Sequence, residues 1–189
     1  DDANFVKTIV NFVMGQVVTI TLIYGTVQSL RGRPASITEC LSQGFRRLPA
    51  AIGVAILSGL GIVIGLILLI VPGFFLATMW AVAIPVAVIE SAGVGASFSR
   101  SSSLTQGRRW RVFGALVVAW IVTIGIGATI GVAMGGALGV AADTPMLVLL
   151  WAVGAVTQAF ISTLSGVLYY FLRRDKEGAD IESIAAVFD

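Results

Sequence analysis

The sequence predicts an all-α, polytopic transmembrane helical bundle, and three observations carry that prediction. Hydrophobic residues make up 57% of the 189 and charged residues only 12%, about half the roughly 25% charge of an ordinary soluble domain. Mean hydropathy is +0.98. Long apolar runs recur along the chain, and the basic residues collect in alternate gaps between them.

A helix needs about 20 mostly apolar residues to cross a hydrocarbon layer roughly 30 Å thick. Residues 5–30, 49–71, 110–136 and 144–172 meet that length. A fifth segment, 74–89, reaches only about 24 Å at 1.5 Å per residue and contains Pro85. It is expected to be a short, tilted or kinked span, or one limb of a re-entrant hairpin with 49–71. The gaps 31–48 and 90–109 and the tail 173–189 then form one polar side with short interfacial helices, and the whole chain is one membrane domain.

Charge orients this layout, because cytoplasmic loops are enriched in Lys and Arg. Arg31, Arg33, Arg46 and Arg47 fall in the first gap, Arg100, Arg108, Arg109 and Arg111 in the second, and Arg173, Arg174 and Lys176 after the last span. Lys7 is the one exception; Asp1, Asp2, the uncharged Pro72-Gly73 turn and Asp143 take the other side. Five spans therefore run from an outer N-terminus to a cytoplasmic C-terminus. A re-entrant hairpin keeps the same charge pattern, so both layouts stand. Asp1-Asp2 opens the chain with no basic leader, and a sixth helix upstream is expected.

Within the spans, Gly127, Gly131, Gly135 and Gly139 recur at intervals of four, which stacks them on one stripe where a second backbone can approach. Packing inside the bundle is the expected use, an oligomer interface the alternative. Asp143 or Thr144 followed by Pro145 reads as a helix start. The first helix carries a polar stripe, Lys7, Asn11, Gly15 and Thr19 with Gln16 beside it, expected to face a neighbouring helix or a substrate path. No ionisable group sits at mid-depth to drive a coupled transporter.

Two polar segments end alike: Leu41-Ser42-Gln43-Gly44-Phe45-Arg46-Arg47 and Leu104-Thr105-Gln106-Gly107-Arg108-Arg109. Either a two-helix unit is used twice, or both are basic helix starts reached independently.

The serine- and arginine-rich run from Glu90 to Gly114 invites a phosphate-loop reading, but Gly93-Val94-Gly95-Ala96-Ser97 lacks the lysine and spacing of that motif. Ser99, Ser101, Ser102 and Ser103 have no base at suggestive spacing, and the chain contains no histidine. Nucleic acid needs a broad basic face with stacking aromatics, whereas Trp110 stands at the start of a span, where indoles commonly sit at the membrane interface. One cysteine, Cys40, excludes an internal disulfide. What remains is a short helix with Val94, Phe98, Ser101 or Ser102 and Leu104 on one side, and a Glu90–Arg100 pair acting as a structural clasp. Asp175, Glu177, Asp180 and Glu182 are expected to face the loop arginines, with Ile181, Ile184, Val187 and Phe188 forming an apolar face in the tail.

Arg46, Arg47, Arg100, Arg108, Arg109, Trp110 and Arg111 are accordingly the candidate contacts to anionic lipid headgroups or partner proteins. Pro72, Gly73, Pro85, Glu90, Gly127, Gly131 and Gly135 are candidate structural positions. No cofactor, metal or catalytic set is expected, and no nucleic-acid partner.

Val71-Pro72-Gly73, Trp80, Pro85, Glu90, Ser101, Leu104, Gly107 and the run Arg108-Arg109-Trp110-Arg111 resemble the membrane domain fused to some bacterial glycerophosphodiester phosphodiesterases and its stand-alone relatives. The resemblance covers most of the chain, strongest from Ile70 to Gly114, and extends to the tail Glu177-Gly178-Ala179-Asp180 onward. It implies a six-helix domain in a bacterial cytoplasmic membrane. Phosphodiesterase activity in such fusions belongs to a separate soluble barrel built on histidines and metal-binding carboxylates, so it is not implied for these residues. The expected function is a non-catalytic scaffold or accessory subunit of other membrane proteins or of itself; a small-molecule or lipid carrier using the polar first helix is the alternative.

Overall fold

The computed structural model describes residues 2–33, 36–135 and 144–177. Among them the chain forms helices and short turns, with no strand. The helices are α1 Asp2–Leu30, α2 Ile37–Leu68, α3 Ile70–Met79, α4 Ala83–Ile89, α5 Val94–Thr105, α6 Arg109–Gly135 and α7 Thr144–Glu177. Five stretches are long and apolar enough to cross a membrane once α3 and α4 count together: Asn4–Leu30, Ile37–Leu68, Val71–Ile89, Arg109–Thr129 and Trp151–Glu177. Large apolar side chains such as Ile67, Leu68, Trp120, Ile124 and Trp151 are exposed on these helices. In water that much contiguous apolar surface is a liability; in lipid it is the ordinary outer face of a span.

Several boundaries differ from the sequence expectation, each for a local reason. Residues 37–48 are the first turns of α2 and not a loop. Ser36, in extended backbone, accepts through its side chain from the Glu39 N–H at 3.2 Å, satisfying one of the donors that every helix start leaves open. Pro49 then lies inside α2, removing the N–H that would have bonded the Phe45 carbonyl. The turn expected at Pro72-Gly73 falls earlier. Leu69 alone is extended, donating to the Gly65 carbonyl at 3.0 Å and accepting from Gly73 at 3.3 Å. Pro72 sits in the first turn of α3, where a missing N–H costs nothing.

The kink expected at Pro85 lies instead at Trp80–Val82, between α3 and α4. Pro85 occupies the first turn of α4, again a position without an intrahelical donor bond to lose. The break is held by tertiary contact. The Trp80 ring stacks beside Phe98 at a centroid separation of 4.8 Å and lies directly over Gly61 of α2, leaving no room for a Cβ there.

The core gathers around α4, where Ala83, Pro85, Val86, Ala87 and Val88 are all buried. One cluster joins Val27 of α1, Val82 and Val86, Leu104 of α5, Val112 of α6 and Tyr169 and Leu172 of α7. Two others put Ile20, Ile23 and Ala51 on Val88, and Val54 on Ala83 and Ala87. Burying such a side chain from water stabilises by about 1.5–3 kcal/mol, and that gain is absent where the alternative neighbour is a lipid tail. The burial therefore concentrates at the end of the bundle that carries the basic residues.

Candidate functional site

The polar run that follows α4 builds a side-chain network at that end. Ser91 turns the chain with a positive φ of 57°, and α5 then folds back over α4. Ser97, Ser101 and Thr105 recur every fourth residue, share one face and are fully buried. Ser97 donates to the Gly93 carbonyl at 2.9 Å and Thr105 to the Ser101 carbonyl at 3.0 Å. Ser101 donates to the Met79 carbonyl at 2.8 Å, an acceptor left open where α3 ends. The serines that invited a phosphate-loop reading are thus a packing stripe that closes the α3–α4 break.

Glu90, at the end of α4, is the hub. Arg100 Nε donates to its two carboxylate oxygens at 3.0 and 3.3 Å, and the Tyr169 hydroxyl donates to Oε1 at 3.0 Å. Arg173 donates to the Tyr169 oxygen at 3.0 Å and to Glu177 at 2.8 Å, and Glu177 pairs in turn with Arg100. Two acids, two guanidinium groups and one phenol close a charge-balanced ring linking α4, α5 and α7. Beside it Arg108 pairs with Asp175, and Lys176 donates to the Ser103 and Gln106 carbonyls at the end of α5, where a cation complements the helix dipole. The Glu90–Arg100 clasp and the facing of Asp175 and Glu177 to loop arginines are as the sequence predicts. Asp180, Glu182 and the apolar tail positions Ile181, Ile184, Val187 and Phe188 lie outside the described residues.

The other basic candidates point outward or into apolar surroundings. Arg46 and Arg111 are exposed, and Arg47 is half-buried with its Nε covered and without an acceptor. Arg109 places its guanidinium 4.5 Å above the Phe75 ring. Trp110 is 84% exposed and meets Phe113 edge-on at 6.0 Å. Between α3 and α6 lie two adjoining apolar cavities of about 280 and 430 Å³, both lined by Phe74, Thr78 and Phe113.

At Gly127 the expected packing inside the bundle is not found: the residue is exposed, and a Cβ there meets nothing within 4 Å. Among the described residues α6 joins the core near its start, through Val112, and lies only lightly against α3 and α7. Gly131 and Gly135 continue that helix, with side-chain surroundings outside the described set, and Gly139 lies outside the described residues. The glycines that carry close packing are on α2 and α3. Gly53 faces Val94, Gly61 faces Trp80, and a Cβ at Gly65 would stand 3.0 Å from the Gly73 Cα. The spacing of Gly53, Gly61 and Gly65 in multiples of four is a readable signal of that stripe.

The similar L-[ST]-Q-G segments also part company. Gly44 is helical and packed under Thr21, whereas Gly107 has a φ of +83° at the turn between α5 and α6. They do not share a backbone conformation. Of the polar stripe on α1, Thr19 is buried and accepts from Gln158 Nε2 of α7 at 2.8 Å, while Lys7 and Asn11 are exposed.

A family model described as Domain of unknown function (DUF7847) matches residues 1–172. The chain belongs to that family. No curated protein matches it, and no solved structure does. The DUF7847 match takes in all of α1 to α6 and α7 through Leu172, so the Glu90–Arg100–Tyr169 bonds fall inside it. Among the described residues of this DUF7847 chain, no group of three or more His, Cys, Asp or Glu side chains converges as metal ligands would.

Proposed function

We propose that the protein is a non-catalytic, multi-pass membrane scaffold or accessory subunit, held at its basic end against anionic lipids and packed through its apolar helix faces against a partner membrane protein. The observation that carries this reading is a division of labour among the cations. Arg100, Arg108 and Arg173 are consumed by the clasp, whereas Arg46 and Arg111 are exposed and Arg109 and Trp110 stand beside an open apolar surface. Exposed arginines beside an indole at a span's end fit contact with headgroup phosphates, at about 1 kcal/mol each.

The test is purification in a mild detergent with identification of bound proteins and phospholipids. Enrichment of anionic phospholipid over the bulk membrane, together with a recurrent membrane-protein partner, is expected. A monomer carrying lipid in bulk proportion and no partner overturns the reading.

Eleven of the twelve basic residues fall in the gaps and tail on the clasp side, and the positive-inside rule supports a cytoplasmic face for that side; the bacterial inner membrane is what the resemblance to the phosphodiesterase-fused membrane domain implies. Ser99→Cys, on the exposed side of α5, is expected to react with a membrane-impermeant thiol reagent only after the cytoplasmic face is opened. The native Cys40 stays silent in both states because it is 6% exposed. Labelling of Ser99→Cys in intact cells reverses the orientation.

A further inference from the structure

The two apolar cavities between α3 and α6 share Phe74, Thr78 and Phe113 and form one groove. Along α6 its lining runs from Arg109 and Trp110 at the helix start to Ile121 and Ile124, with Val71 of α3 beside the first of these. At 1.5 Å per residue, the stretch of α6 from Arg109 to Ile124 spans about 22 Å, longer than the roughly 15 Å of hydrocarbon in one leaflet. Thr78 spends its hydroxyl on the Phe75 carbonyl at 2.7 Å. Among the described lining residues Arg109 is the one charge, and it stands at the α6 start.

Its electrostatics are incomplete. The Phe75 ring centroid lies 4.5 Å from the guanidinium carbon, a cation–π contact that supplies no lone-pair acceptor to the N–H groups. Arg109 Nε is buried without an acceptor. Among the described acids at this end, Glu90, Asp175 and Glu177 are already held by Arg100, Arg108 and Arg173, and Glu39 accepts from the Tyr24 hydroxyl. A long apolar trough ending in an arginine short of an acceptor complements a molecule with an apolar tail and an acidic head.

We propose that this groove binds one anionic glycerophospholipid, an acyl chain lying along Phe74, Phe113 and Leu116 and the headgroup phosphate accepting from Arg109. The proposal rests on the lipid-contact reading above and deepens it from a diffuse basic surface to a single site. Binding covers apolar area that otherwise faces bulk lipid, so selectivity comes from the phosphate and its fit to a planar fork of donors.

The test is native mass spectrometry of the full chain, released from micelles after titration with dioleoyl phosphatidylglycerol or dioleoyl phosphatidylcholine. The wild type is expected to retain one phosphatidylglycerol in preference to phosphatidylcholine. Arg109→Gln weakens phosphatidylglycerol retention about fivefold, the loss of one surface cation, and leaves phosphatidylcholine unchanged. Val117→Trp, which puts an indole into the groove, removes retention of both. Arg33→Gln, exposed at the turn between α1 and α2, changes little. Equal losses in Arg109→Gln and Arg33→Gln overturn the single site while leaving the anionic-lipid reading standing; no lipid preference in any variant defeats both.

A phosphatidylglycerol with a photoreactive acyl chain, crosslinked to the wild type, keeps the test open if Val117→Trp fails to fold. Labels on Phe74, Phe113 or Leu116 are expected, and labels confined to other helices overturn the proposal. So does a rise in phosphatidylglycerol retention on truncation after Glu177, which assigns the groove to the C-terminal tail, or a dimer lost in Val117→Trp, which assigns it to a second copy.

Discussion

Glu90→Gln lowers the thermal midpoint of the detergent-solubilised protein by about 4–8 °C, read as loss of the monodisperse chromatographic peak after heating. The size follows from what the substitution leaves behind. Glu90 accepts from Arg100 and from Tyr169, and its side chain is only 19% exposed. Glutamine keeps the shape but removes the charge, so the Arg100 guanidinium loses one of its two counter-ions beside a buried core. Removing one partner of a fully buried pair costs about 3–5 kcal/mol. Arg100 is 34% exposed, and solvent reduces that penalty, which brings the cost to about 2 kcal/mol. For a chain of this size each kcal/mol moves the midpoint by about 2–4 °C.

Tyr169→Phe separates the network from the single pair. It removes the hydroxyl that links Glu90 to Arg173 and keeps the ring that packs with Val27, Val86 and Leu104. Two hydrogen bonds to charged groups are lost, about 1.5–3 kcal/mol each when unscreened, yet Glu90 keeps Arg100 and Arg173 keeps Glu177, and both are partly exposed; solvent and the remaining pairs reduce the total to about 1 kcal/mol, a drop of about 2–4 °C. The double variant is expected to fall by less than the sum, because residues in one hydrogen-bonded network do not act independently. Strict additivity would show that the ring of contacts does not work as a unit.

Much of this arrangement is legible in the sequence, and the illegible parts share a cause. The apolar runs and the spacing of Arg100 from Glu90 are local properties, and local properties show in a string of residues. Tyr169 and Arg173 join the clasp only because α7 returns beside α4, a tertiary fact with no local mark. Ser36-Ile37-Thr38-Glu39 did mark the start of α2, as a cap followed three residues later by an acid, although a run of polar residues before Pro49 reads equally as a loop. The break at Trp80–Val82 contains neither proline nor glycine. It exists because the Trp80 ring occupies the space over Gly61 and the Ser101 and Thr105 hydroxyls of α5 donate to the Met79 carbonyl at the loose end of α3. A glycine repeat likewise tells which residues share a helix face; it does not tell which face meets a neighbour.

That last distinction gives a second large expected effect, with its own internal control. At Gly73 an added Cβ would stand 2.5 Å from the Leu66 side chain and 2.7 Å from the Leu66 backbone nitrogen. A side-chain tip can rotate away, but a backbone atom held in the last turn of α2 cannot, so α2 and α3 must part. Overpacking of this kind costs about 1–3 kcal/mol, and the backbone contact places Gly73→Ala at the upper end, a midpoint drop of about 6–12 °C. At Gly127 the same substitution meets nothing within 4 Å. Alanine is the better helix former by about 1 kcal/mol, so Gly127→Ala is expected to be neutral or stabilising in the isolated chain. If Gly127→Ala instead destabilises the purified protein or shifts its oligomeric mass, the face of α6 that carries Gly127 is an interface with another subunit. If Gly73→Ala is tolerated without loss, the close antiparallel packing of α2 on α3 is not what holds this hairpin together.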